Sequence, residues 1–449
     1  MSTIEKHDMT QGKILLPLVS FTIPLVLGNL FQLTYNAADS VIVGKYVGEQ
    51  ALAAVGTSTP IMNIAILLIS GMCMGASVLM SSQYGAKDYD TLSRQISTTM
   101  LAGCGFSVVF SLLMLLLANP VLRLIRVPET AIPEAAAYLR IIFMGLIFTF
   151  MYNFLANTMR ALGDSKTPLY FLVTSAFLNI FGDLFFVVVL RWGVAGSAIA
   201  TVFSEGLCCL LCGIYIKKKI PLLCLGKKWW VFDKSLLGKT VSYGSTSAMQ
   251  QVCLQLGKLI IQSVVNTQGV AVMAAFTAVN RVDDFAYTPQ QNIGHAMTTF
   301  LAQNKGAGHK ERMKKGFQTG LLIELVYSIG LFAVIWGLAP QIMTLFAEDG
   351  DAQVVSLGIS YLHLISWMYI LPGLTNGVQG FFRGIGDLKV TLYSTFMNMF
   401  GRVVAVFVMI RLLQMEFASL AWANMVGWIV MLLFEVPLLV KSMRNGECG

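Results

Sequence analysis

Twelve long apolar stretches, separated by short polar segments, dominate the 449-residue sequence. A helix that crosses a membrane needs roughly 20 consecutive, mostly apolar residues. Only 12% of the residues are charged, against about 25% in a soluble domain. The sequence therefore predicts an all-α integral membrane protein with twelve transmembrane helices, at about residues 14–43, 51–83, 92–119, 133–158, 166–190, 195–216, 236–265, 270–302, 314–340, 354–380, 388–412 and 417–440.

One motif in the sequence occurs twice. Six residues recur 223 positions later: Arg160, Gly163, Asp164, Lys166, Leu169 and Tyr170 correspond to Arg383, Gly386, Asp387, Lys389, Leu392 and Tyr393. A repeat near half the chain length indicates two copies of one architectural unit. Each copy has six predicted spans, so both enter the membrane from the same side, as in the parallel repeats of transporters. We expect a lobe at residues 1–216, a basic and aromatic cytoplasmic linker at 217–235 and a second lobe at 236–449.

The basic residues predict the orientation in the membrane. With the amino terminus inside, 22 of the 31 Lys and Arg residues fall in inner segments, 6 in outer segments and 3 within spans. This ratio obeys the positive-inside rule and places both termini in the cytoplasm, with the protein in the cytoplasmic membrane. The net charge of +8 then follows from topology, without a nucleic-acid partner. No signal peptide is expected, because the first apolar run is too long, and no disulfide framework, because no cysteine lies in a predicted outer loop.

Polar residues inside the spans of the first half are candidates for function. Asn179 and Asp183 lie one turn apart on the fifth span. A four-residue deletion changes the offset between the copies to 219 here, and the second copy has Arg402 where the first has Asp183. A carboxylate at mid-membrane costs about 2.5–3.5 kcal/mol, a cost that a bound proton or cation removes. The alternative is an Asp183 held permanently by Asn or Thr groups. On the first span a polar stripe leads to Asp39, for which an interfacial cap is the alternative role.

The second half carries a different polar set, made of Gln251, Gln255, Arg281, Asp283, Asp284 and Arg402. One interpretation has the basic residues, with Lys258, forming buried structural pairs with the two aspartates. The other has Asp283 or Asp284 facing a cavity and meeting substrate. Together with Tyr35 and Asn36 of the first span, these residues form the candidate substrate cavity. Glu324 and Glu435 are expected between helices or near an interface.

Four stretches carry a resemblance to a known family. They read YNAADSVIVGKYVGEQALAAVGTSTP (35–60), GASVLMSSQYGAKD (75–88), MRALGDSKTP (159–168) and RGIGDLK (383–389). Together they resemble the multidrug and toxic compound extrusion (MATE) transporters over essentially the whole chain. The resemblance implies twelve helices in two pseudo-symmetric six-helix lobes that form a V. It also implies export of organic cations in exchange for protons or sodium ions.

The resemblance also assigns roles to residues. Asp39 matches the acid of the family's first helix, Asn179 and Asp183 its fifth-helix pair, and Thr201 the hydroxyl of its sixth helix. These four residues would bind the coupling cation, H⁺ or Na⁺, and no other metal or cofactor is implied. Some members carry further acids in helices seven and ten, where this chain has glutamines, Lys258 and a neutral stretch. That departure disfavours a sodium site in the second lobe. In this respect the chain resembles the DinF-like branch of bacterial members.

The leading hypothesis is a secondary antiporter that exports amphipathic or cationic organic compounds by alternating access, as a monomer in the lipid bilayer. The alternative is a flippase for lipid-linked saccharides of the same superfamily, which Lys258, Arg281 and Arg402 would suit. A membrane enzyme is not expected, because neither HExxH nor GxSxG occurs. The absence of a Walker motif from the sequence argues against direct use of ATP.

Overall fold

The computed structural model describes residues 8–125, 127–129, 131–220, 230–346, 352–413, 417 and 419–444, and within them every regular element is a helix. The α-helices are α1 Leu15–Tyr46, α2 Glu49–Gly85, α3 Tyr89–Leu124, α4 Ile132–Met144, α5 Leu146–Ala161, α6 Lys166–Asp183, α7 Gly193–Lys219, α8 Lys234–Val265, α9 Val270–Gly306, α10 Lys310–Phe346, α11 Ala352–Ser366, α12 Ile370–Gly384, α13 Leu388–Phe407 and α14 Ser419–Arg444.

These helices form twelve rods in the described ranges, one for each predicted span. Helices α4 and α5 make one rod that bends by 46° at their junction, and α11 and α12 make another, joined by the 3₁₀ turn Trp367–Tyr369. Pro24, Pro60 and Pro289 lie inside helices that continue through them, which membrane helices tolerate when neighbours satisfy the freed backbone groups. The predicted all-α membrane fold is confirmed.

Nine helical segments of the described chain are long and apolar enough to cross a membrane, and the bent α4–α5 pair makes ten. The two rods that fall short are α8 and α9, which carry the glutamines and charged residues of the second half. Polar side chains on a membrane helix face protein or a water-filled cavity, since lipid cannot satisfy them. Low hydropathy therefore indicates that α8 and α9 each turn a polar face towards protein or water.

The chain divides into two compact units. The first contains Ile23–Ala248, and the second contains Met9–Thr22 together with Met249–Gly449. Each unit has its own apolar core: helices α2–α5 and α7 supply most of the first, and α8–α11, α13 and α14 most of the second. The lobe boundaries expected from the sequence stay a prediction, and residues 221–229 of the expected linker lie outside the described residues.

The repeated motif forms the same turn in both halves. Gly163 and Gly386 have φ values of +89° and +84°, a left-handed conformation that only glycine adopts at no cost. The aspartate that follows caps the next helix in each case. Asp164 Oδ1 accepts hydrogen bonds from the first two main-chain amides of α6, at 3.1 and 3.0 Å, and Asp387 Oδ1 accepts one from the amide of Val390, at 3.4 Å. In both halves the motif therefore forms a tight turn between two helices and caps the second of them.

Candidate functional site

Two helices of the first unit, α6 and α7, approach closely because small residues lie where they meet. A Cβ atom on Gly182 would lie 2.9 Å from the Cβ of Ala200, and one on Gly196 would lie 3.1 Å from the main chain of Phe186. Small residues at a contact let membrane helices pack backbone to backbone. The polar residues of α6 are thereby brought against those of α7.

Two hydrogen bonds involve residues that are expected to bind the cation. The Asn179 amide nitrogen donates to Thr201 Oγ1 at 3.2 Å, and Ser197 Oγ donates to Asp39 Oδ1 at 2.8 Å. The carboxyl group of Asp183 lies within hydrogen-bonding reach of that of Asp39. The structure thus gathers residues of α1, α6 and α7 into one polar cluster within the first unit.

Asp183 is the unusual member of this cluster. Its side chain is 0% exposed, and among the described residues no donor reaches either carboxylate oxygen or Asn179 Oδ1. Ionised carboxylates only accept hydrogen bonds, so a bond between Asp183 and Asp39 requires a proton on one of them. The permanent Asn or Thr partners considered from the sequence are not found in the described part of the chain. The arrangement instead suits a proton or a cation bound by oxygen atoms.

The structure adds polar groups that the sequence did not single out as site residues. Thr149 Oγ1 donates to Glu205 Oε2 at 2.5 Å, and these two residues line, with Thr201 and apolar side chains, a cavity of about 20 Å³. That volume holds one water molecule or ion. The sequence did contain a signal for Glu205, because Ser197, Thr201 and Glu205 are spaced four residues apart and therefore lie on one face of α7.

Tyr138 of α4 also belongs to this region. It is 3% exposed and lies within electrostatic range of Asp39, Asp183 and Glu205. Its hydroxyl is 4.0 Å from Met62 Sδ. A single tyrosine in an apolar helix gives no sequence signal, so only the packing of α4 identifies it.

The candidate substrate residues of the first span are only partly described. Tyr35 is partly buried, and its hydroxyl lies within hydrogen-bonding reach of Gln32 and within electrostatic range of Asp39 and Glu205. The side chain of Asn36 lies outside the described part of the structure. Tyr35 therefore lies beside the polar cluster.

In the second unit the two neighbouring aspartates have opposite surroundings. Asp283 is 3% exposed and accepts hydrogen bonds from the hydroxyls of Tyr361 at 3.0 Å and Tyr369 at 2.6 Å. Asn424 donates in turn to the hydroxyl of Tyr361, at 2.8 Å. Asp283 is thus the centre of a buried, satisfied network, with Arg402 within electrostatic range.

Asp284 points elsewhere and pairs with Lys258 of α8, whose Nζ lies 3.4 Å from Asp284 Oδ1. Both side chains are 55% exposed, so the buried ion pair considered from the sequence is wrong for these two residues. Arg281 and Gln255 are also exposed, and Gln251 and Arg402 partly so. Because charged side chains are unfavourable in lipid, this polar face of α8 and α9 suits a water-filled cavity.

Transition-metal ligation has no support in the described residues. No group of three His, Cys, Asp or Glu side chains among them is placed to hold a metal ion. The first-unit cluster instead offers oxygen atoms of carboxylates, an amide and hydroxyls, which are ligands for hard cations.

Comparison with known proteins identifies related sequences over most of the chain. The profile of the MatE family matches residues 24–185 and again residues 247–409. The two matches begin 223 residues apart (247 − 24), which is the offset of the repeated motif.

Individual relatives match this chain over most of its length. The chain is 32% identical to the probable multidrug resistance protein YpnP of Bacillus subtilis over 87% of this chain and 86% of that protein. It is 29% identical to the probable multidrug resistance protein YoeA of the same organism, over 85% and 82%. A solved MATE structure in complex with MaL6 matches with a TM-score of 0.91 at 22% identity, over 98% of both chains.

Proposed function

Because the chain belongs to the MATE family of membrane transporters, we propose that it is a secondary antiporter that exports amphipathic, often cationic organic compounds. The coupling ion is H⁺ or Na⁺, bound at Asp39, Asn179, Asp183 and Thr201. The names of YpnP and YoeA as probable multidrug resistance proteins support this substrate class. Transport is the activity that the family implies, and we expect no enzymatic reaction.

The observation that carries the proposal is the buried Asp183 carboxylate beside Asp39. An ionised carboxylate without donors in a membrane interior is costly, and a proton or cation removes that cost. Binding of the ion therefore changes the free energy of the cluster strongly. If the two access states expose the cluster differently, ion binding shifts the population between them by its difference in affinity. This is the basis for coupling by alternating access.

Substrate contact is proposed for the exposed polar face of α8 and α9, with Gln251, Gln255, Arg281 and Asp284, together with Tyr35, Asn36 and Arg402. The carboxylate of Asp284 would attract an organic cation. The ammonium group of Lys258, which pairs with Asp284, would compete with the substrate for that carboxylate. Asp283 is excluded from this set, because its carboxylate is already bonded to two tyrosines. We further propose a monomer in the cytoplasmic membrane with both termini in the cytoplasm, from the distribution of Lys and Arg.

Efflux from proteoliposomes tests the proposal. A fluorescent organic cation is loaded, and efflux is driven separately by a proton gradient and by a sodium gradient. We expect one gradient to drive efflux in the wild type, and Asp39→Asn and Asp183→Asn to abolish it. Asp90→Asn is the matched control, because Asp90 forms an exposed ion pair with Arg94 and should retain full efflux. A wild type that moves no cation under either gradient would refute the proposal and make the lipid flippase the next hypothesis.

A further inference from the structure

A third carboxylate of the first unit, that of Glu205, is not among the residues to which the proposed function assigns the coupling ion. Glu205 lies near the middle of α7, a helix that is long and apolar enough to cross a membrane. Its side chain is partly buried, and no ion pair among the described residues includes it. Because an ionised carboxylate is unfavourable in a membrane interior, such a residue is a candidate for function.

The surroundings of Glu205 supply one hydrogen bond and no positive charge. Thr149 of α5 donates the hydrogen bond, to Glu205 Oε2. The ionisable groups within electrostatic range of Glu205 are Tyr35 of α1, Tyr138 of α4 and the α7 thiols of Cys208 and Cys209. The residues of α2 that lie closest are apolar, and no ionisable group of α5 or α6 in the described chain acts on Glu205. Its negative charge is therefore not balanced by any described part of the protein.

A small cavity lies between Glu205 and the residues of the coupling site. Its volume is about 20 Å³, and Thr149, Thr201 and Glu205 supply the polar part of its lining. That volume suits one water molecule, which needs about two to four polar partners. Thr201 Oγ1 accepts a hydrogen bond from Asn179 and, as a hydroxyl, also has a proton to donate. The cavity thus has a donor of the coupling site on one side and an acceptor, Glu205, on the other.

We propose that Glu205 is a third proton-binding group of the first unit, connected to Thr201 by one water molecule in this cavity. The role of this proton in transport rests on the proposed function, whereas its binding can be measured separately. With Glu205 ionised, Thr201 donates to the water and the water donates to the carboxylate. A proton on Glu205 removes the negative charge and lets the carboxyl group donate to the water instead. Protonation therefore changes the hydrogen bonds of the water that contacts Thr201.

Glu205 also shares its electrostatic surroundings with the coupling site. Tyr138 lies within electrostatic range of Asp39, Asp183 and Glu205, and Tyr35 within range of Asp39 and Glu205. Charges in a low-dielectric interior act on one another more strongly than in water. A proton on Glu205 should therefore weaken the binding of a cation at the coupling site. By linkage, a cation bound there weakens the binding of the proton by the same factor.

Infrared difference spectroscopy of the full-length protein in lipid nanodiscs tests proton binding without a transport assay. The carboxyl bands of the variant Asp39→Asn/Asp183→Asn are followed during a pH titration, with and without Glu205→Gln. The titration covers about pH 6 to 8, where exposed carboxylates, with ordinary pKa values of about 4, stay ionised. We expect a component of the protonated carboxyl band that grows as the pH falls and is missing in Glu205→Gln. Glu134→Gln is the control, because Glu134 is exposed, and should leave that component unchanged.

Two further variants test the water bridge. Thr201→Val removes the hydroxyl that would donate to the water, and Ala65→Val fills the cavity, which Ala65 lines from α2. Both should shift the frequency of the Glu205 component. Ser204→Ala is the control, because Ser204 donates to the main-chain oxygen of Thr201 and is not among the lining residues, and it should cause no shift.

The outcomes separate this inference from the proposed function. Glu205→Asp, which keeps an acid at this position, should restore a protonated component at a different frequency. A spectrum that does not change in Glu205→Gln would refute proton binding. A Glu205 component with the same frequency in Thr201→Val and Ala65→Val would refute the water bridge. The infrared signal requires no transport, so failure of the efflux assay alone would refute the proposed function and leave proton binding by Glu205 intact.

Discussion

At the scale of single residues, hydrogen-bond partners separate aspartates that look alike in the sequence. Asp183 and Asp283 are both buried acids in long helices of the membrane fold. Asp183 has no donor among the described residues, whereas Asp283 has two tyrosine hydroxyls. Hydrogen bonds to a charged group are worth about 1.5–3 kcal/mol. We therefore regard Asp283 as a structural residue and Asp183 as a site for a cation.

The first prediction concerns the Asp283 network. Tyr369→Phe removes the 2.6 Å hydrogen bond to Asp283, and the free energy of unfolding should fall by about 1.5–3 kcal/mol. Substrate affinity should not change. Thermal unfolding in detergent and a substrate-binding titration measure the two effects. Tyr170→Phe is the control, because Tyr170 is exposed. A variant of normal stability that binds substrate more weakly would instead assign Asp283 to the substrate cavity.

At the scale of elements, small residues decide which helices touch. Gly71 and Gly75 lie one turn apart on α2 and face the first part of α8. A Cβ atom on Gly71 would lie 2.6 Å from the Cα of Ala248, and one on Gly75 would lie 2.5 Å from the main chain of Tyr243. This small-xxx-small pattern permits backbone contact between membrane helices. The four-residue spacing of these glycines is a property of the sequence, whereas their partner on α8 is known only from the structure.

Gly75→Ala should therefore force α2 and α8 apart. Overpacking of this kind costs about 1–3 kcal/mol, so the melting temperature should fall. Gly105→Ala is the matched control, because a Cβ atom there meets nothing within 4 Å, and alanine is the better helix former. Equal melting temperatures for the two variants would show that the close contact does not hold in the membrane.

The segment before α1 is bonded to α9 and α10. Gln303 Oε1 accepts a hydrogen bond from the amide of Met9, and Asn304 Nδ2 donates to its carbonyl oxygen. The guanidinium of Arg312 donates to the main-chain oxygens of Met9, Gln11 and Gly12, at 2.7–3.2 Å. Lysine cannot reproduce this fork of donors. Arg312→Lys should increase hydrogen exchange in residues 9–14, measured by mass spectrometry, whereas Lys314→Ala, at an exposed position, should not. Unchanged exchange in Arg312→Lys would mean that the segment is held by other contacts.

At the scale of the whole molecule, the number of ions bound sets the driving force. Moving one charge through 100 mV is worth about 2.3 kcal/mol. Exchange of one monovalent organic cation for one proton moves no net charge and cannot use that energy. The two carboxyl groups of the first-unit cluster permit a second positive charge per cycle, and transport would then respond to the membrane potential.

We therefore predict electrogenic exchange. In proteoliposomes with the driving gradient held constant, a negative-inside or negative-outside potential set with potassium and valinomycin should change the rate of export of a +1 substrate. A neutral substrate of similar size serves as the control, with a larger response expected. Export of the +1 substrate at one rate under all potentials would fix the stoichiometry at one ion per substrate.

The sequence by itself determined the fold class, because apolar length and charge distribution are properties of the chain alone. It also predicted the repeat, whose Gly-Asp turns need only local conformation and capping. Helical spacing placed Asn179 and Asp183 on one face, a polar stripe on the first span led to Asp39, and the family resemblance added Thr201.

Only the tertiary structure decided which polar residues have partners. Helical periodicity gives the face on which a side chain lies, but a hydrogen bond requires a specific neighbour within about 3 Å, and that neighbour comes from another helix. Asp183 and Asp283 are both buried acids, yet Asp283 meets two tyrosine hydroxyls while neither carboxylate oxygen of Asp183 has a hydrogen-bond partner among the described residues. Tyr138 and Thr149 were likewise assigned to the first-unit cluster only because of their contacts with other helices. Packing between helices, which depends on contacts far apart in the chain, separates a carboxylate with hydrogen-bond donors from one without them.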